Sequence, residues 1–149
     1  LEAAERRGLP VLGLCRGAQL INVHRVGTLG DFRADSPRYD RHHRVLSGHP
    51  VEIEADSRLA SIFGKTRLEN VVTYHGQFVN EPGEGVRVTA YAPDGTPEAI
   101  EVATDSEFGV IGVQWHAEVL PWDAHQHRLF RALADASILY RNSRMSSSN

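Results

Sequence analysis

The sequence predicts an α/β domain, and three stretches carry the prediction. From Pro10 to Val23, PVLGLCRGAQLINV passes from an apolar strand pattern (Val11, Leu12, Leu14) through Gly13 and Gly17 into an apolar helical pattern (Leu20, Ile21, Val23). Val110 to Val113 reads as a second buried strand. From Trp122 to Tyr140, apolar residues at Leu129, Leu133, Ala136 and Tyr140 share a helix face suited to packing on a sheet.

The remaining elements follow from the chain's punctuation. Leu1 to Arg7 is a short helical pattern ended by Gly8, and Pro10 restarts the chain as strand. The helix after Cys15 spans about Gly17 to Arg25. Gly27 and Gly30 then open a polar loop, Asp31 to Gly48, expected at the rim of the site. His49 to Glu54 alternates like a strand, Ser57 to Phe63 forms a helix, and Leu68 to Thr73 another strand. Val86 to Ala92 and Glu98 to Ala103 flank Pro93-Asp94-Gly95, where proline presets φ and glycine accepts positive φ, so they form a hairpin. Residues 141–149, rich in serine, are expected to be a disordered tail.

Composition narrows the function classes. With 149 residues, 41% of them hydrophobic, and a net charge of −3, the chain reads as one globular domain without the basic excess of a nucleic-acid binder. Arginines between Arg33 and Arg44 are interleaved with Asp31, Asp35, Asp40, His42 and His43, as in a solvated loop. One cysteine excludes an intramolecular disulfide framework and suits the cytoplasm. No apolar run reaches the roughly 18 residues of a membrane span. Of the eight histidines, His125 and His127 diverge around a helix and His42 and His43 are adjacent; neither pair has chelating spacing, so no metal is expected. Trp115 and Trp122 read as core or rim packing.

The chemistry centres on Cys15. In Gly13-Leu14-Cys15-Arg16-Gly17 the thiol sits on a strand-to-helix turn, the arrangement of a nucleophile elbow. Flanking residues without a Cβ let strand and helix pass closely. The positive helix end is expected to lower the thiol pKa, and the Arg16 N–H is placed to bind an oxyanion. A partner base lies in WHAE: His116 and Glu118, two apart in extended chain, point the same way, so the carboxylate can orient the imidazole.

GLCRGAQ (Gly13 to Gln19) and GVQWHAE (Gly112 to Glu118) resemble the elbow and histidine motifs of class I glutamine amidotransferase-like domains, and more narrowly of the peptidase C26 branch, the gamma-glutamyl-gamma-aminobutyrate hydrolases. Arg16 points to that branch over synthetase-associated glutaminases. INVHRVGTL, HPVEIEADSRLASIFG and VRVTAYAPDGTPEAIE agree in order, and the resemblance extends to about Leu139. It implies a flavodoxin-like three-layer sandwich, with Cys15 as nucleophile, His116 as base and acid, and Glu118 as its orienting group. Gln19, one helical turn beyond Cys15, would lie beside a bound gamma-glutamyl group, with an exposed helix polar residue as the alternative. VVTYHGQF resembles the stretch contributing to the glutamyl pocket, which adds Tyr74 and His75 to Arg16 and Gln19 as substrate-binding residues.

The implied reaction is hydrolysis of a gamma-glutamyl amide through a thioester, without cofactor, on a small-molecule substrate; by family association it belongs to polyamine breakdown. A glutaminase supplying ammonia to a synthase, and a catalytically inactive fragment or binding protein, are the alternatives. A homodimer stays open. Three departures stand out: Ala117 replaces a proline between His116 and Glu118, Gly76 replaces a histidine, and Val26 replaces the first of two glycines, the last two bearing on substrate identity. Family members carry several strands and helices before this point, including a loop with a second oxyanion N–H. Residues 1–140 are therefore expected to be the C-terminal part of one longer domain.

Overall fold

The computed structural model describes residues 1–34, 43, 46–104, 108–120 and 122–146. Most of the mixed-charge loop, including Asp35, Asp40 and His42, and the last three residues lie outside them. Helix α1 (Glu2–Arg7) precedes strand β1 (Val11–Leu14), which turns at Cys15 into helix α2 (Arg16–His24). There follow β2 (Leu29–Asp31), β3 (Ser47–Ile53), α3 (Arg58–Phe63), β4 (Arg67–Thr73), β5 (Gln77–Val79), β6 (Val86–Tyr91), β7 (Pro97–Val102), β8 (Val110–Val113) and α4 (Ala124–Ser146).

Six strands form one sheet in the order β1-β8-β7-β6-β3-β4, while β2 and β5 pair separately. β1 and β8 run parallel, with Leu14 opposite Val113; the other pairings in the sheet are antiparallel. Cys15 and the segment carrying His116 therefore leave the same end of two adjacent strands, where ligands bind in open α/β sheets.

Successive side chains of β8 alternate between two cores. Ile111 and Val113 join Leu59, Phe63, Trp115 and Leu129 with α3 and α4, whereas Val110 joins Ala18, Ile21, Ile100 and Val102 with α2. Helices thus cover both faces, in three layers. Trp115 is fully buried and donates from Nε1 to Gln126 Oε1 at 3.0 Å; Trp122 is exposed.

Local chemistry accounts for the element ends. Gly8 (φ 68°) and Gly64 (φ 68°) close α1 and α3 in the left-handed conformation. Ser57 accepts the Ala60 N–H at the start of α3, and the Glu101 carboxylate accepts those of Arg58 and Leu59. In the β6–β7 turn, Asp94 Oδ1 accepts the Thr96 N–H at 3.0 Å. Helix α4 runs on to Ser146, past the expected end near Tyr140. The hydroxyls of Ser137, Ser143 and Ser146 turn back onto the carbonyls of Leu133, Tyr140 and Asn142, so these serines do not break the helix.

Val26 is the other surprise. It lies just beyond α2 with φ 66° and is 81% exposed, away from the site. What the missing glycine changes there is backbone strain, not substrate contact.

Candidate active site

Cys15 adopts φ 48° and ψ −101°, a strained conformation for a residue with a Cβ. Its surroundings impose it. The Cys15 N–H donates to Val113 O at 2.8 Å, and the Cys15 carbonyl accepts from Ala18 N–H at 3.1 Å at the start of α2. A Cβ on Gly13 would come within 2.6 Å of the Gly17 carbonyl carbon and 2.7 Å of Ile21 Cδ1, so glycine alone lets β1 pass beneath α2. A Cβ on Gly17 would meet nothing within 4 Å, and the steric need expected at both flanking positions holds only at Gly13.

The sulfur's electrostatics correct a second expectation. Burial pushes the Cys15 thiol above its ordinary value of 9.0, and the Glu118 and Glu98 charges add to the rise; hydrogen bonds from the Arg16 backbone and the Gln114 side chain oppose it without prevailing. The helix-end donor is present as expected, but desolvation of a half-buried sulfur outweighs it.

His116 Nδ1 lies 2.7 Å from Glu118 Oε1, so Nδ1 carries the proton and the carboxylate fixes the ring. The His116 backbone N–H donates to Val72 O at 2.8 Å, anchoring this turn to β4. His116 Nε2 contacts the Tyr74 carbonyl at 3.4 Å, and no hydrogen bond joins it to Cys15 among the described residues. Gln114 Nε2 donates to the sulfur at 3.5 Å. Gln114 directly follows β8, two residues before His116, and that place in GVQWHAE is the signal that could have marked it from sequence. Gln19 is buried rather than exposed; its Nε2 donates to Gln77 O at 2.7 Å and to Gln114 Oε1 at 3.1 Å. A chain of amides thus runs from β5 to the thiol.

A cavity of about 430 Å³ opens over Cys15. Arg16, Gln19, Tyr74 and His75 line it, joined by Asp31, Arg33 and Gly76. Asp31 and Arg33 belong to no motif that marks them in the sequence, only to the polar loop at the rim. Tyr74 is 60% exposed, while the His75 side chain is buried with its Nδ1 on Gln77 O at 2.8 Å. A Cβ on Gly76 would enter open space, so the position of the replaced histidine can accept a side chain.

Fold and turn together define a class I glutamine amidotransferase-like domain. Two solved structures share the fold. One, from Thermoplasma acidophilum, is provisionally named as part of a GMP synthase (TM-score 0.70, 19% identity, 91% of this chain and 61% of that one). The other is a glutamine amidotransferase from Thermotoga maritima (TM-score 0.61, 19% identity, 90% and 50%). The peptidase C26 family model matches residues 1–118, and the chain belongs to that family. Among curated relatives, a provisionally named glutamine amidotransferase of Mycobacterium tuberculosis is 39% identical over 94% of this chain and 44% of its own length. The gamma-glutamyl-gamma-aminobutyrate hydrolase PuuD of Escherichia coli is 28% identical over 93% and 56%. The chain thus spans about half the length of such relatives. Among the described residues, no helix is long and apolar enough to cross a membrane.

Proposed function

We propose that the protein hydrolyses a gamma-glutamyl amide, gamma-glutamyl-gamma-aminobutyrate or a related gamma-glutamyl amine, through a thioester on Cys15. The observation that carries this reading is the strained Cys15 turn on the parallel neighbour of the strand that delivers His116 and Glu118. In the first step Sγ attacks the side-chain carbonyl while its proton passes to His116 Nε2. The raised thiol pKa makes that transfer part of the attack, in place of a preformed thiolate. The Arg16 N–H faces the oxyanion. The C–N bond then breaks as His116 returns the proton to the departing amine. Water, deprotonated by His116, finally cleaves the thioester to glutamate and free thiol. The steps balance without a cofactor.

Substrate recognition follows from the charges around the cavity. A gamma-glutamyl group carries an α-carboxylate and an α-ammonium; Arg16 and Arg33 suit the first and Asp31 the second, with Gln19, Tyr74 and His75 beside the chain. The full protein, given gamma-glutamyl-gamma-aminobutyrate, is expected to release glutamate and amine in equal amounts. Glutamine hydrolysis that requires a synthase partner would favour the ammonia-supplying alternative, to which the GMP synthase name of one fold neighbour lends support. Failure on both would leave a binding role.

A further inference from the structure

Beside the cavity, side chains from three separate segments converge on one carboxylate of a fourth. Glu98 of β7 is fully buried, and among the described residues neither of its oxygens has a hydrogen-bond partner. Around Oε1 lie His43 Nδ1 at 3.3 Å, His49 Nε2 at 3.5 Å and His75 Nε2 at 3.6 Å. These contacts are close enough for ion pairs, yet none has hydrogen-bond geometry: the three nitrogens are buried and without a hydrogen-bond partner among the described residues.

The opposite nitrogen of each ring is engaged. His49 Nδ1 meets Pro50 O at 2.9 Å, His75 Nδ1 meets Gln77 O at 2.8 Å, and His43 Nε2 meets Asp94 Oδ2 at 3.2 Å. Carbonyls and carboxylates only accept, so those nitrogens carry the protons, and in neutral rings the nitrogens facing Glu98 are bare lone pairs. Three lone pairs and a carboxylate turned on one another repel unless a cation lies between them.

We propose that His43, His49 and Glu98, with His75 as fourth donor, form a binding site for a divalent transition metal ion, zinc matching it best. Donors at zinc bond lengths in a tetrahedron lie about 3.3–3.4 Å apart, and the three contacts to Glu98 Oε1 span 3.3 to 3.6 Å. The donor atoms of His43, His49 and Glu98 all fall within 4.8 Å of one another; His75 stands outside that group and, as fourth donor, closes inward when the ion binds. Each ring has the outer partner that metal-bound histidines use to fix their tautomer: a backbone carbonyl for two, a carboxylate for the third. Imidazole-rich donor sets select zinc and its transition-metal neighbours over magnesium or calcium. The four side chains are at most 9% exposed, which suits a closed, structural ion that pins residue 43, β3, the β4–β5 connection and β7 together. The rival occupant is a proton: burial opposes charge on His43, but Glu98 and Asp94 hold its imidazolium above the ordinary range.

The test is cobalt and zinc titration of the full, untagged protein after chelator treatment. About one ion per chain is expected, with the intense visible bands of a four-coordinate nitrogen and oxygen site in the cobalt form. His49→Gln and Glu98→Gln are expected to abolish binding. Asp94→Asn, which leaves all four donors in place, is expected to weaken it about ten- to hundredfold. Cys15→Ala is expected to bind as tightly as wild type. Should the buried variants fail to fold, Asp94→Asn and the wild-type cobalt spectrum decide. Folded, chelated wild type that takes up neither ion at micromolar concentration would overturn the proposal in favour of protons, and so would binding that survives in His49→Gln or is lost in Cys15→Ala.

Discussion

Two imidazole–carboxylate pairs in the molecule differ sharply in their access to water. His116 and Glu118 are 2.7 Å apart with side chains 25% and 45% exposed, so water can reach the ring that the proposed reaction uses to move a proton. His43 and Glu98 are 3.3 Å apart at 2% and 0% exposure, where a charge must be matched internally or not form. The same two functional groups can therefore serve turnover in one place and architecture in the other, with solvent access making the difference.

The comparison can be broken most forcefully at the nucleophile. Cys15→Ser is expected to lower turnover by roughly 10⁴- to 10⁶-fold with the fold retained, measured as glutamate release alongside circular dichroism. Glu118→Gln is expected to reduce turnover by roughly a hundredfold to ten-thousandfold, while its stability changes by no more than about 0.5 kcal/mol. Glu98→Gln inverts that pattern: removing one partner of a buried pair costs about 3–5 kcal/mol, readable by denaturant unfolding. If both carboxylate variants lose stability equally, the distinction between the pairs fails.

Three smaller effects sharpen it. Gly13→Ala, which forces a Cβ onto the Gly17 carbonyl, is expected to destabilise the protein by about 1–3 kcal/mol. Alkylation of Cys15 by iodoacetamide is expected to keep accelerating as pH rises past 9.0, because burial holds the thiol protonated at and above that value. A rate that levels off near neutral pH would show a stabilised thiolate instead. Val26→Gly relieves a positive φ at an exposed residue and is expected to raise stability by up to about 1 kcal/mol, with no change at the site.

Features confined to a short run were the ones legible in the sequence. The elbow, the helix at Ser57 to Phe63 and the Pro93-Asp94-Gly95 turn each depend on residues a few positions apart, and each lies where its local chemistry put it; between His116 and Glu118, by contrast, the chain is not extended as expected but enters a 3-10 turn, Ala117–Val119. Strand β5 was missed because three residues cannot display alternation, and its pairing with β2 joins Leu29 to Val79 across fifty positions. The rise in the Cys15 pKa was missed because desolvation depends on what the tertiary fold stacks over the sulfur. The histidine cluster was invisible to spacing rules for the same reason: His43, His49, His75 and Glu98 come from four segments, so no two neighbouring positions announce it.

The most direct test of the central claim, that Cys15 is the nucleophile and His116 its proton acceptor, is mass spectrometry of the full protein after exposure to the glutamine-like affinity label 6-diazo-5-oxo-norleucine. A single adduct on Cys15 that forms far more slowly in His116→Asn is the predicted result. No adduct on Cys15, or labelling at an unchanged rate in His116→Asn, would contradict it.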